Sequence, residues 1–565
     1  MNISLREWTK TGSPWVWLNA GAVAICIIMV VGLLSLIAVR GLSHFWPADI
    51  LQAQLTSNSN GNNARIIGEV VESNEVLTSQ LSEAGIKGLP DDKEFLIRNL
   101  MKVGNRDVLG QDFTWALDFH LSDKQYPEML FAAERREWGN LYGYLRSVKE
   151  NGEQVSSYDG YTKTVEYEAL WNDLDQRIER AEEIHQQILQ IEKDKIGSIN
   201  YEIERLRLKE RGLQLKEVSD SAPYTAINDR RAELNADYEV LQNDLLDLYN
   251  AFNRDSLTAE VSSGEIVEIS LSKIVRAFRP NDMGIFAKIG HYIAKLWEFI
   301  SEDPREANTE GGIFPAIFGT VMMVILMSIL VTPFGVVAAV YLREYAKQGF
   351  ITRLIRIAVN NLAGVPSIVY GVFGLGFFVY FLGGNIDQLF FPEAKPAPTF
   401  GTPGLMWASL TLALLTVPVV IVATEEGLSR IPRSVREGSL ALGATKFETL
   451  WRVVLPMASP AMMTGVILAI ARAAGEVAPL MLVGVVKLAP SLPLDGNYPF
   501  IHLDQKFMHL GFHIYDVGFQ SPNVEAARPL VYATALLLVA VIALLNLSAI
   551  AIRNHLREKY KALEM

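Results

Sequence analysis

The apolar positions of this chain follow two different patterns. Long uninterrupted apolar runs occur near the N-terminus and after residue 310, whereas the stretch between them mixes apolar and charged positions. A membrane-spanning helix needs about 20 consecutive apolar residues. The runs predict six transmembrane helices, at residues 15–39, 314–342, 362–382, 405–424, 461–486 and 530–552. The expected fold class is an α-helical membrane protein that carries a large water-soluble insert.

The insert, residues 47–308, contains a helical pattern at 161–252. Apolar residues recur there every three or four positions in two stripes, which begin at Leu170 and Leu234. The turn-forming sequence KEVSDSAPY separates the stripes, so we expect an antiparallel, coiled-coil-like hairpin whose stripes pack on each other. The flanking segments indicate a mixed α/β base, with ARIIGEVVES and FTWALDFHL as candidate strands.

Basic residues indicate the orientation of the spans. They concentrate after the second and fourth spans, in the C-terminal tail (including Lys561) and at Arg6 and Lys10. Because Lys and Arg accumulate on the cytoplasmic side, both termini are expected in the cytoplasm and the insert outside, in the periplasm of a bacterium with two membranes. The expected units are an N-terminal tail with the first span (1–46), the insert (47–308) and a five-helix core (309–565).

The loop between the fourth and fifth spans, residues 425–460, has a defined local pattern. Ser434 and Glu437 have capping-box spacing, and Gly443 can end the resulting helix in a left-handed conformation. Thr445 and Glu448 have the spacing of a second capping box. The pattern therefore predicts a helix, a turn and a second helix.

This second helix carries an apolar face that includes Phe447, Leu450 and Trp451, and Pro456 is expected to turn the chain back to the membrane. An apolar face on a cytoplasmic loop suits a partner protein. The alternative is a pair of re-entrant interfacial helices in which the glutamates act only as caps.

Charge and composition exclude several classes of protein. The insert has 30 Lys and Arg against 47 Asp and Glu, a net charge of −17, and the rest of the chain has 21 against 16. No strongly basic surface for a nucleic acid is present. The single cysteine, Cys26, lies in an apolar run and forms no internal disulfide. The chain lacks the G-x-x-x-x-G-K-[ST] phosphate loop, and we find no catalytic constellation, so we expect neither ATP binding nor enzymatic activity.

The predicted fifth span contains two charged residues, Arg472 and Glu476, at a spacing that places both on one helix face. Charges within a membrane are costly unless they are paired or face a water-filled cavity. The pair either fastens the helix to a neighbour or lines a path for an anion, which the planar guanidinium of Arg472 would bind well. Ser367 and Tyr370 either contribute hydroxyl groups to the same path or form interhelical hydrogen bonds. No metal site is expected.

Three segments carry a family resemblance: NNLAGVPSIVYGVFGLGFF at 360–378, LALGATKFETLWRVVLP at 440–456 and ARAAGEVAPLM at 471–481. They resemble the PstA family, the permease subunits of phosphate-specific ABC importers. The spacing of Glu437, Gly443, Val453, Leu455 and Pro456 matches the EAA loop of ABC importer permeases. Gly438 and Ser439 stand where that pattern has alanines, and the insert makes this chain a long form.

The resemblance implies a transport subunit that pairs with a PstC-like permease, a PstB-like ATPase dimer and a PstS-like phosphate-binding protein. ATP and Mg²⁺ would bind to the ATPase, and no cofactor to this chain. The residues implied in ATPase coupling are Glu437, Ser439, Leu440, Gly443, Ala444, Thr445, Leu455 and Pro456. Arg472 and Glu476 coincide with the charged stretch that the family uses in translocation.

The rival hypothesis is a membrane-anchored sensor or scaffold, which would sense with the insert and signal through the cytoplasmic loop. Six spans without a cytoplasmic output domain favour the transporter. An insert of charge −17 repels phosphate, so we do not expect it to capture the substrate. It could instead dock a periplasmic protein, shield the entrance or stiffen a pair of permeases. The alternative is that it is a stable structural addition without a separate function.

Overall fold

The computed structural model describes residues 13–56, 63–83, 89–90, 93–489, 491–521 and 524–560. The basic residues Arg6, Lys10 and Lys561 lie outside these ranges. Within them, six helices are long and apolar enough to cross a membrane. They span Trp15–Ser43, Phe314–Tyr345, Ser367–Phe390, Leu405–Arg430, Lys446–Gly475 and Ala527–Lys559, which confirms the predicted number.

The first span is helix α1 (Ser13–Ser43), and its apolar side chains are exposed, Cys26 among them. A five-stranded antiparallel sheet follows, in the spatial order β4-β3-β2-β1-β5. Its elements are β1 (Ile50–Thr56), β2 (Asn63–Leu77), helix α2 (Thr78–Glu83), β3 (Phe95–Lys102), helix α3 (Arg106–Leu109), β4 (Phe113–Leu117) and β5 (Leu121–Gln125). ARIIGEVVES lies in β2, as predicted.

The prediction of one strand over FTWALDFHL was wrong. A 3₁₀ turn at Asp118–His120 divides it into β4 and β5. The division has a topological cause, because β4 pairs with β3 at one edge of the sheet whereas β5 pairs with β1 at the other edge.

A second antiparallel sheet has the order β10-β9-β7-β6-β11, with β8 also paired to β7. Three helices interrupt its strands in the sequence. The elements are β6 (Leu130–Arg135), β7 (Leu141–Glu150), β8 (Glu153–Ser157), α4 (Val165–Leu189), α5 (Gly197–Leu215), α6 (Ala222–Phe252), β9 (Asp255–Glu260), β10 (Ile266–Ser270) and β11 (Ile274–Phe278).

Helices α4 and α5 are joined by a π-helical segment, Gln190–Ile196, and run antiparallel to α6. Contacts such as Tyr249 with Glu192 and Arg230 with Glu202 join the two arms. The apolar stripe of α4 packs mainly on the second sheet, where Leu170 and Leu174 share a buried cluster with residues such as Phe131. The prediction that the two stripes pack on each other is therefore only partly correct, because α4 packs on the larger apolar surface of the sheet.

After β11 comes helix α7 (Ile285–Ser301), then a short β-hairpin of β12 (Pro304–Arg305) and β13 (Glu310–Gly311). Polar contacts join this region to the rest of the insert and to the loops of the core. Lys295 lies 2.8 Å from Glu134, and the Asn308 side-chain amide donates to the Lys487 carbonyl oxygen over 2.9 Å. Within the region, Arg305 pairs with Glu298. A cavity of about 640 Å³ lies at this junction, with His44, Glu134 and Lys295 among its lining residues.

The remaining helices form the membrane core and its loops. They are α8 (Phe314–Val340), α9 (Phe350–Leu362), α10 (Ser367–Phe373), α11 (Gly384–Phe390), α12 (Leu405–Arg430), α13 (Arg433–Ala441), α14 (Lys446–Thr449), α15 (Leu455–Gly475), α16 (Leu480–Val483), α17 (Leu510–Tyr515) and α18 (Val524–Tyr560). The segments Tyr341–Tyr345, Gly374–Gly383, Leu450–Val454 and Asp516–Gln520 are π-helical.

Helix α12 packs between α8 and α15 and is the most buried of the spans. Small residues allow these helices to approach closely. A methyl group on Gly335 would lie 2.6 Å from Val420, and one on Gly465 would lie 2.7 Å from Ala423. Close approach through glycine is a common way for membrane helices to associate.

The fifth span differs from its predicted range of 461–486. The helical run starts earlier, at Lys446, and ends at Gly475. Glu476 already has an extended backbone, and Pro479 precedes the short helix α16. Because proline has no N–H to donate, it does not continue a helix.

Candidate coupling loop and substrate path

Helix α13 begins at Arg433, two residues earlier than the predicted capping box requires. Its N-cap is Pro432, and no side chain caps it. Ser434 therefore lies inside the helix, where its hydroxyl cannot satisfy the first free N–H groups. The predicted capping box of Ser434 and Glu437 was wrong.

The turn after α13 has the predicted left-handed glycine. Gly443 has a φ of 89°, and the Ala444 N–H donates to the Ser439 carbonyl oxygen over 3.3 Å. Thr445 then caps α14: its hydroxyl accepts from the Glu448 N–H at 3.2 Å, and its own N–H donates to the Glu448 carboxylate at 2.9 Å. Both predictions are confirmed.

Side-chain contacts hold α13 and α14 in a fixed arrangement. The Ser439 and Thr449 hydroxyls lie 2.9 Å apart and bridge the two helices. Arg436 of α13 donates to the Glu344 carboxylate over 2.9 Å, and Lys446 of α14 donates to the Glu344 carbonyl oxygen over 2.6 Å. Glu344 lies at the C-terminal end of the second span, so the loop is fastened to that span as well as to the fifth.

Sequence reasoning missed Glu344. The available signal was an isolated acidic residue in the basic loop after the second span.

Part of the loop's apolar surface is covered by the core, and part is exposed. Leu450 and Val454 are buried in a cluster that includes Leu428 of the fourth span. In contrast, Leu442, Phe447 and Trp451 expose 91%, 66% and 65% of their surface, and the last two rings stack. Leu440 is half exposed. Glu437 is exposed and makes no hydrogen bond or ion pair with any residue in the described ranges.

Leu455 and Pro456 lie within the helical run that continues into the fifth span. The prediction that Pro456 turns the chain was therefore wrong. Proline is tolerated at the start of α15, where the preceding π-helical turn, Leu450–Val454, already departs from α-helical hydrogen bonding.

Arg472 and Glu476 form an ion pair, with Arg472 Nε 3.6 Å from Glu476 Oε1. The predicted helical spacing does not produce it, because Glu476 lies beyond the end of the helix and reaches back from an extended backbone. The side chains of Arg472 and Glu476 expose 30% and 21% of their surface, so neither is fully buried in the core. The pair lies at the end of the fifth helix rather than within it.

The helix that carries Tyr370 packs against the segment that follows Glu476, since a methyl group on the neighbouring Gly371 would lie 2.7 Å from Pro479. Tyr370 is buried, and its hydroxyl donates to the Leu362 carbonyl oxygen over 2.5 Å. This contact fits the interhelical role better than the pore-lining one. Ser367 is half-buried at the first turn of α10, which begins after Pro366.

Comparison with known proteins locates the family relationship in the membrane core. Residues 331–562 match the family of binding-protein-dependent transport system inner membrane components. The chain is 36% identical over 247 residues to phosphate transport system permease protein PstA 1 of Mycobacterium tuberculosis, covering 43% of this chain and 71% of that protein. It is 30% identical over 221 residues to a probable PstA of Methanocaldococcus jannaschii, covering 38% and 67%.

Among solved structures, the chain matches the MetNI methionine ABC transporter with 19% identity and a TM-score of 0.32, over 43% of this chain and 94% of that one. The family match at 331–562 includes the loop between the fourth and fifth spans and Arg472. This chain belongs to the PstA family of ABC transporter permeases.

Proposed function

We propose that this chain is the membrane-spanning permease subunit of an ATP-driven importer of inorganic phosphate and forms half of its translocation path. The observation that carries the proposal is the exposed cluster of Leu442, Phe447 and Trp451 on a capped loop within the family-matched region. A loop that needed only to connect two spans would not present such a surface to water. The phosphate substrate is supported by the names of the PstA relatives.

In this proposal the cluster docks into a cytoplasmic ATPase dimer of the PstB kind, which binds ATP and Mg²⁺. Gly443 and the Thr445 cap fix the angle between α13 and α14, and Ser439 ties the two helices together. Glu437, with no partner in the described part of the chain, is available to a group on the ATPase. Leu440, Ala444, Leu455 and Pro456 complete the surface.

The proposed topology places both termini and the coupling loop in the cytoplasm of a bacterial inner membrane and the insert in the periplasm. Units 1–46, 47–308 and 309–565 then have distinct roles, with the insert available to a phosphate-binding protein. A second, PstC-like permease completes the translocation path. This arrangement follows the basic loops of the sequence and the family relationship.

Arg472 is the proposed phosphate contact, with Glu476 orienting its guanidinium. A guanidinium that is partly exposed and held by one carboxylate retains donors for a passing oxyanion. Glu476 also limits how tightly the anion is held, because it competes for the same donors.

The test is uptake of radiolabelled phosphate into proteoliposomes that contain the complete transporter. Wild-type uptake should require ATP and persist in excess sulfate, and Arg472→Gln should reduce it by about tenfold or more with the complex still assembled. Arg207→Gln, which removes a comparable Arg–Glu pair from an exposed helix of the insert, is the control. Preferential uptake of sulfate would refute the substrate, and full activity of Arg472→Gln would refute the proposed contact.

A further inference from the structure

Helix α7 (Ile285–Ser301) has an apolar face that nothing in the described chain covers. Every exposed residue from Ile285 to Ile300 is apolar. Phe286, Ile293 and Trp297 expose 86%, 60% and 70% of their surface. Together with Ile289 and Ile300 they recur every three or four residues and form one stripe along a helix about 25 Å long.

The charged residues of α7 all lie on the opposite face, where they bind the protein. Lys288 pairs with Asp49, Lys295 lies 2.8 Å from Glu134, and Glu298 pairs with Arg305. The remaining polar side chain on this face, His291, packs against the Phe278 ring. The polar face is therefore saturated by the insert, and the apolar face is directed away from it.

The contacts of α7 with the ends of the first and second spans indicate the environment of its apolar face. Tyr292 contacts Trp46 and Phe299 contacts Phe45, with ring centroids 5.9 and 4.9 Å apart. Both contact residues lie within three positions of the outer end of α1, the first span. At the C-terminal end of α7, next to Phe299, the Glu302 carbonyl oxygen accepts from the N–H of Phe314, the first residue of the second span.

Two spans thus leave the membrane directly beside α7, one before the insert and one after it. Helix α7 is held beside the end of α1, whose apolar side chains are exposed. Its apolar face therefore extends the lipid-facing surface of α1. We infer that α7 lies in the outer leaflet of the bilayer, with its apolar face among the acyl chains and its polar face fastened to the insert.

This anchor differs in chemistry from most interfacial helices, which bind anionic lipids through Lys and Arg on the polar face. The lysines of α7 are already paired with Asp49 and Glu134. Anchoring by α7 therefore depends on acyl-chain contact and not on headgroup charge. Its effect is to hold the acidic insert at a fixed height above the membrane.

Site-directed spin labelling of the full transporter in nanodiscs tests this inference. In a Cys26→Ala background, which removes the only native cysteine, one label is placed at Ile293 and another at Phe286. Val240 in α6 is the matched control, because it exposes 60% of its surface, as Ile293 does, but belongs to the hairpin. Accessibility is measured with oxygen, which partitions into lipid, and with a water-soluble nickel chelate.

We expect the oxygen-to-nickel accessibility ratio to be about tenfold higher at positions 286 and 293 than at 240. The ratio should be the same in purely zwitterionic lipid and in lipid with added phosphatidylglycerol. A ratio at 286 and 293 equal to that at 240 would place the helix in water and overturn the inference. Shielding from both reagents in the assembled transporter would show that a partner protein covers the face, and a requirement for anionic lipid would refute the acyl-chain mechanism.

Discussion

Gly443 determines the direction in which the chain leaves α13. Its φ of 89° is unfavourable for any residue with a Cβ atom, although a methyl group there would meet nothing within 4 Å. The need for glycine is therefore conformational and not steric. Gly438, five residues earlier, also has open space around its Cα, but it lies within the helix and has no positive φ.

This difference provides a paired test. Gly443→Ala should add about 1–2 kcal/mol of strain to the turn and shift the angle between α13 and α14, so that more ATP is hydrolysed per phosphate transported. Gly438→Ala, which restores the alanine of the EAA pattern, should leave this ratio unchanged. The measurement is simultaneous ATPase activity and phosphate uptake in proteoliposomes. Equal ratios for the two variants would contradict the proposed role of the turn.

Single residues were predictable where their structure is set by near neighbours in the chain. Gly443 and the Thr445 cap follow from spacing alone, and both were found. Ser434 has the same spacing as Thr445, but the preceding Pro432 starts the helix earlier. The Arg472–Glu476 pair was predicted for the wrong reason, because the spacing rule assumes a helix that continues through Glu476, whereas the helix ends at Gly475.

At the scale of elements, the membrane spans were predictable because each is long enough to be recognised without its neighbours. The two sheets of the insert were not, since the pairing of β1 with β5 and of β7 with β9 joins strands that are distant in the sequence. Helix α7 escaped detection because its 17 residues are too short for a span and charged residues of its opposite face interrupt the apolar run in the sequence.

The hairpin divides into a proximal part that the insert needs and a distal part that it does not. The residues of α4 that face the second sheet are buried, from Tyr167 to Ile188, whereas α5 contributes only Ile199 to the buried residues of the described chain. The large cluster of the second sheet therefore depends on α4 and on the end of α6, near Phe252.

We expect the full chain to fold when residues 206–226 are replaced by a short Gly-Ser linker, because little buried apolar surface is lost. Deletion of 161–252 should instead expose the sheet and make the insert sensitive to protease. Limited proteolysis and size-exclusion profiles of the two variants check this. Similar protease resistance of both variants would show that α4 is dispensable.

At the scale of the whole molecule, the junction between insert and membrane core contains several titratable groups with shifted pKa values. His44 is exposed and lines the junction cavity, where desolvation by the surrounding protein, aided by the charges of Lys102 and Lys295, lowers its pKa to about 4. Burial likewise lowers the pKa of His291 to about 4. For Glu134, burial alone would raise the pKa, but the charges of Lys295 and Arg276 outweigh it and lower the pKa to about 2.

These directions predict how stability changes with pH. A histidine that titrates near pH 6.5 when unfolded and near 4 when folded disfavours folding progressively as the pH falls between these values. Glu134 acts at lower pH, since its stabilising contribution is complete above about 4.5 and is lost only as the pH falls toward 2.

The check is the unfolding temperature of the full chain in detergent between pH 7.5 and 4. His44→Gln should reduce the acid-induced decrease, to which His291, His509 and His513 also contribute because burial lowers the pKa of each to about 4. His555→Gln, at an exposed position near the C-terminus, is the control. An unchanged pH profile for His44→Gln would show that the junction does not lower the pKa of this imidazole in solution.

Glu344 has a mechanical consequence for the whole permease. Its carboxylate accepts from Arg436 and its carbonyl oxygen from Lys446, so the second span is tied to both helices of the loop between the fourth and fifth spans. The loop is also continuous with the fifth span. A force applied to the loop therefore acts at the same time on two membrane helices, one on each side of α12. These two helices are expected to move together.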